Sequence, residues 1–160
     1  MPATGAIEAD RLRDRGTIRG VQPILSAVVF GAQKFLNHPD WSDLLEPWLQ
    51  CLGESAGADQ VRIFRNDATA PGEPVRSSLW AEWLAPGIVA SPMEALQNIS
   101  FEEVGCARWV EVLGSGGVVA GNADDLPESE RPIIAREGNL AVAIVPVFTG
   151  ARWWGFLGFA

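Results

Sequence analysis

The chain has 160 residues, 48% of them hydrophobic, with 12 basic and 20 acidic side chains and a net charge of −8. That length and apolar content suffice for one domain with a real core and exclude disorder of the whole chain. The acidic balance opposes nucleic-acid binding, which needs clustered Lys and Arg.

No apolar run approaches the ~20 residues of a membrane helix, and the N-terminus lacks an apolar signal-peptide core. A soluble, cytoplasmic protein without a membrane partner is therefore expected. Lys34 is the only lysine, and with abundant Ala and Gly this marks the composition of a high-GC bacterial gene. Cys51 and Cys106 form no C-x-x-C and no metal-ligand spacing. Both read as small buried apolar residues rather than a disulfide or redox pair.

Met1 to about Gly20 is polar, with a basic run from Arg11 to Arg19 broken by Asp14. It reads as a mobile leader, residues 1–20, ahead of a domain over 21–160. From Gln22 the period becomes helical. Ile24, Leu25, Val28, Val29, Ala32, Phe35 and Leu36 fall on one stripe at spacings of three and four. Asn37-His38-Pro39-Asp40 ends it. Trp41, Leu44, Leu45, Trp48, Leu49 and Leu52 make a second amphipathic helix. It either starts near Asp43 or kinks at Pro47, because proline lacks the N–H that an interior turn uses. Gly53 and Gly57 close it.

Val61 and Ile63 then alternate with Arg62 and Phe64, which makes residues 58–64 a half-buried strand. Asn66, Asp67, Pro71, Gly72 and Pro74 mark a loop. Ser78–Ala85 is a second strand, stopped by Pro86-Gly87. Pro92–Gln97 is expected as a short helix capped by Ser91. Ala107–Leu113 is expected as another, with Trp109, Val110 and Leu113 inward. Gly114–Gly117 breaks it, and Val118–Gly121 is a short strand. Ser129 as N-cap would place Pro132 in the first turn of a further helix, where its missing N–H costs nothing, with Gly138 as the stop.

Val142–Phe148 and Arg152–Phe159 read as a closing hairpin with Thr149 and Gly150 in the turn. Gly155 and Gly158 remove side chains where something bulky approaches the sheet. Adjacent strand residues face opposite ways, so one of Trp153 and Trp154 belongs in the core and the other is left for a further helix or a second subunit. Helices that precede and interrupt mostly antiparallel strands indicate an α+β fold.

Five stretches carry a family resemblance: Leu52–Phe64 (LGESAGADQVRIF), Ala81–Ile88 (AEWLAPGI), Asp125–Arg131 (DLPESER), Gly138–Val147 (GNLAVAIVPV) and Trp154–Phe159 (WGFLGF). In this order, over Ala27 to Phe159, the chain resembles GAF domains, sensory modules of bacterial histidine kinases and cyclic-di-nucleotide signalling proteins. The resemblance implies a profilin-like α+β fold with a central antiparallel sheet of about six strands. Helices would cover one face. A ligand pocket, or its vestige, would lie between the other face and the middle connection. In the family a further helix usually leads to an output domain. The chain stops at Ala160 and is accordingly expected to be a module without that helix and its effector.

Several family chemistries find no support in the residues. Bilin-binding members attach the chromophore through a cysteine usually followed by histidine, and here Ala107 follows Cys106. Reductases of free methionine sulfoxide with this fold use a set of cysteines, and Cys51 is remote from Cys106 in the sequence. The scattered Asn-Lys-Phe-Asp-Glu signature of cyclic-nucleotide members cannot be completed, since Lys34 falls in the first helix. His38, the single histidine, sits at a helix end and not where a haem ligand belongs. Gly114-Ser115-Gly116-Gly117 lacks the G-K-[ST] of a phosphate cradle and reads as a turn. Asp124, Asp125, Glu128 and Glu130 suit a helix N-terminus and need no metal.

The expectation is a non-enzymatic sensory module of a bacterial signal-transduction protein, a histidine kinase or a diguanylate cyclase or phosphodiesterase. It would carry no catalytic residue, metal or cofactor. Its pocket would draw on Phe64, Trp83, Trp109, Leu113 and Val145, with Trp109 in the connection that roofs it. An unidentified small molecule and a second copy, docked through the helices, are its expected partners. The alternative is a ligand-free dimerisation module, pairing its first helix through Val28, Val29 and Phe35.

Overall fold

The computed structural model describes residues 23–31, 33–34, 42–70, 72–136 and 138–160, so the expected leader, Phe35 and His38 lie outside the described residues. The chain divides into two compact units, Met1–Gly57 and Ala58–Ala160.

In the first unit, helix α1 covers residues 23–31, with 33–34 again helical, and α2 runs Ser42–Ala56. The second helix continues through Pro47, giving up one backbone hydrogen bond. Gly57 ends it in the left-handed region at φ +67, which glycine adopts without a Cβ penalty. The two helices are joined where Trp48 Nε1–H donates to the Ala27 carbonyl at 3.2 Å. Gly31 permits this approach, because a Cβ there would collide with the Trp48 indole.

The second unit is built on a six-stranded sheet in the order β3-β2-β1-β6-β5-β4. The strands are β1 Gln60–Asn66, β2 Arg76–Leu84, β3 Ile99–Ser100, β4 Val119–Asn122, β5 Ala141–Thr149 and β6 Arg152–Phe159. Every neighbouring pair is antiparallel. Helices α3 (Ala107–Gly114) and α4 (Arg131–Ala135) and the 3-10 turns Met93–Leu96 and Ala123–Asp125 occupy the connections. This is the α+β class with a central antiparallel sheet that the sequence indicates. The first and last strands pair at the centre, and β1 is buried at six of its seven positions, as befits a central strand.

The closing hairpin forms over the expected residues. Thr149 pairs with Arg152, so the turn itself is Gly150-Ala151. Gly150 at φ +60 supplies the positive φ that a two-residue turn of the II′ kind needs at its first position. At Gly155 a Cβ would collide with the Phe64 carbonyl of β1. The bulky neighbour implied by this glycine is therefore the adjacent strand's own backbone. At Gly158 a Cβ would meet nothing within 4 Å.

Two local expectations are corrected. The helix capped by Ser91 is a single 3-10 turn, Met93–Leu96, that follows Pro92 with no side-chain cap bond. It cannot propagate, because Gln97 is extended and Asn98 sits at φ +52 with its N–H bonded to Ser78 Oγ at 2.9 Å. The two-residue strand β3 follows at once. Helix α4 starts after Glu130 and not after Ser129. The Glu130 carboxylate is held by Arg108, through Nε at 2.7 Å and Nη2 at 2.9 Å. Pro132 still falls in the first turn, as its chemistry requires.

The core of this unit joins one face of the sheet to the middle connection. Phe64, Leu79 and Phe156 of the sheet pack with Leu96, Phe101, Trp109 and Leu113 of the connection. The Phe64 and Phe156 rings, paired in register, stack at 4.9 Å, and Phe101 tilts against both Phe156 and Trp153. Each fully buried side chain of this size contributes roughly 1.5–3 kcal/mol.

Candidate ligand cavity

Strand alternation decides which residues line the space above the sheet. Arg62 and Phe64 of β1 pair with Gly158 and Phe156 of β6, and Gly158 pairs onward with Ile144 of β5. These residues, with Gln60 and Val142, form the floor of a cavity of about 120 Å³. Leu96, Ile99, Phe101, Val104, Cys106 and Trp109 of the middle connection form its roof, and Ile133 and Ile134 of α4 close one side. Gly158 has room above it because it has no side chain, and it keeps the floor open at that point.

The lining is apolar apart from a few groups. Gln60 Nε2 donates to Asn139 Oδ1 at 2.7 Å, and Arg62 Nε donates to Glu82 Oε2 at 3.1 Å. Ser77 Oγ donates to Asn66 Oδ1 at 2.7 Å. Arg136 also lines the space but is solvent-exposed, which sets it where the cavity meets water. Among the described lining residues there are two guanidiniums, of which Arg62 is paired with Glu82, and no acidic side chain. Such a lining accepts an apolar body and attracts negative charge.

Cys106 is 1% exposed, and its thiol is pushed up to about 12, chiefly by burial and then by the Glu130 carboxylate. It stays protonated at neutral pH and is a poor nucleophile. Glu130, itself 1% exposed, feels burial as its largest influence, which favours the neutral acid. The bidentate bond from Arg108 outweighs that, so its pKa lies below the ordinary value. The Trp109 indole N–H pulls the same way, although it is buried without a hydrogen bond of regular geometry.

Of the five residues expected at the pocket, Phe64 and Trp109 line the cavity. Leu113 does not. It lies one turn beyond Trp109, fully buried in the core cluster. Trp83 pairs with Val61, and Val145 with Leu157, so both stand on the face opposite Arg62 and Ile144. The sequence reading also passed over Gln60, Arg62, Ile144, Phe156 and Gly158. Their signal was parity: once Phe64 faces the cavity, so do Arg62 and Gln60. The middle connection brings Trp109 and Cys106 together through the short helix α3, and Gly105 seats that helix. At Gly105, φ +82, a Cβ would collide with the Ser129 carbonyl.

No family model matches the chain. It is 33% identical over 139 residues to the methanogenesis regulatory histidine kinase FilI of Methanothrix harundinacea (strain 6Ac), covering 85% of this chain and 15% of that protein. The chain thus spans a small fraction of this relative's length. Among solved structures, the GAF domain of Thermosynechococcus elongatus PixJ, in its blue-light absorbing form, superposes with a TM-score of 0.56. It is 20% identical over 75% of this chain and 68% of that one. The phycocyanobilin-bound GAF domain of a cyanobacterial phytochrome gives a TM-score of 0.59 at 15% identity, covering 85% and 78%. With its six-stranded antiparallel sheet, this chain has the fold of GAF domains.

Proposed function

We propose that the chain is a non-enzymatic regulatory module that binds a small molecule between its sheet and middle connection and passes the bound state to an output domain. The observation that carries this reading is the apolar cavity of about 120 Å³ above β1, β5 and β6, kept open at Gly158. The likeness to a stretch of a regulatory histidine kinase supports a signal-transduction setting. On this reading the module acts in the cytoplasm, and any kinase activity belongs to other parts of the assembly. Among the described residues, no helix is long and apolar enough to cross a membrane.

The ligand is smaller than a bilin. Drug-sized sites run from about 300 Å³ upward, and the present space is well below that. Cys106, followed by Ala107 and held protonated, is a poor attachment point. The test is a thermal-shift screen of metabolites on the full chain beside Gly158→Leu and Ile134→Phe, which fill the cavity. Ligand in excess over its Kd raises the melting temperature through preferential binding to the folded state. A hit should stabilise the parent chain and neither filled variant. Equal stabilisation of all three would remove the cavity from the account.

A second reading, dimerisation through α1, has its own observation. Leu25, Val28, Val29 and Phe30 are 43–57% exposed on that helix. Sedimentation of the parent chain and of Val28→Glu should show a dimer that the substitution splits; a monomer in both cases rules this reading out.

A further inference from the structure

The cavity's shape and charge together narrow the ligand, and this inference rests on the regulatory reading given above. The space is about 120 Å³; a cavity of about 150 Å³ lined by Leu, Ile and Phe takes up benzene. One six-membered ring therefore fills it, between Phe156 and Ile144 below and Trp109 above. Aromatic rings favour such stacked and edge contacts.

The mouth adds the second constraint. Arg136 lines the cavity, is exposed, and makes no side-chain hydrogen bond or ion pair among the described residues. Arg62, deeper in, is already bonded to Glu82. The described lining offers no acidic side chain to balance Arg136. Asn139, whose Oδ1 accepts from Gln60, also lines the space. A neutral ring would leave the Arg136 guanidinium to water alone.

We infer that the cavity selects a monocyclic aromatic carboxylate of the benzoate class, with the ring in the apolar chamber and the carboxylate turned to the Arg136 guanidinium. Arg–carboxylate bonds are charge-assisted and roughly twice as strong as neutral ones, so the acid should be preferred to its uncharged isosteres. No bond is made or broken.

The experiment is calorimetric titration of the full chain with benzoate, benzamide and toluene, on the parent, Arg136→Gln and Gly158→Leu. Benzoate should bind about tenfold tighter than benzamide, a difference of about 1.4 kcal/mol. R136Q should cut that preference to about threefold or less while leaving toluene unchanged, and G158L should abolish all three. Raising salt should weaken benzoate alone. Equal affinity for benzoate and benzamide, or a preference that survives in R136Q, overturns the carboxylate assignment and leaves the cavity standing. Failure of all three probes alongside a cavity-dependent hit in the metabolite screen overturns the one-ring class but not the regulatory reading. Failure of the probes and of the screen removes both.

Discussion

Arg108 and Glu130 show how unequal the two ends of one ion pair are. Glu130 is 1% exposed, whereas the Arg108 side chain keeps 46% of its surface in water. Removing the arginine strands a buried carboxylate; removing the charge on the glutamate leaves an arginine that water can still solvate. Arg108→Ala should cost about 3 kcal/mol in denaturant unfolding and exceed the cost of Glu130→Gln. Cys106 supplies a pH prediction. The folded thiol holds its proton to about 12 against an ordinary 9.0, so between those values the folded state binds the extra proton. Stability should therefore fall as pH rises through that window, and Cys106→Ala should flatten the fall. A thiol reagent at pH 8 should label Cys106 only on unfolding; rapid labelling of the native chain would contradict its burial. Neither feature was legible in the sequence. Glu130 read as one more acid at a helix start, because its partner lies 22 residues away.

Strands and helices were more legible than the faces they present. The hairpin announced itself through its turn glycine and its apolar runs, and α3 through the four-residue spacing of Trp109 and Leu113. Parity in β5 was silent, because Ala141 to Val147 is apolar at every position and a period of two leaves no mark. Val145 was consequently put on the wrong face, and its 38% exposure shows the cost of that ambiguity. Trp83 failed for a related reason. A register shift between Ile63 and Phe64 interrupts the pairing of β1 with β2, and no residue type signals it. The glycines of β6 separate the element's two demands. Gly155→Ala should push β6 from β1 and cost about 2 kcal/mol. Gly158→Ala, with open space above it, should change stability by no more than about 0.5 kcal/mol. Comparable losses at both positions would contradict this division of labour.

At the scale of the molecule, the antiparallel α+β sheet followed from the order of the elements and its six strands from the family resemblance, whereas the central pairing of β1 with β6 joins the two ends of the unit and leaves no local mark. The cavity did not. Its existence depends on a missing side chain at Gly158 and on the irregular connection from Leu96 to Trp109, whose 3-10 turn and two-residue strand carry little periodic signal. The most direct measurement is a methyl NMR titration of isoleucine-labelled chain with the compound that stabilises it most. Ile99, Ile133, Ile134 and Ile144 line the cavity, whereas Ile63 stands on the opposite face of the sheet. The account predicts saturable shifts at the first four and a quiet Ile63; shifts centred on Ile63, or spread evenly over every isoleucine, would contradict it.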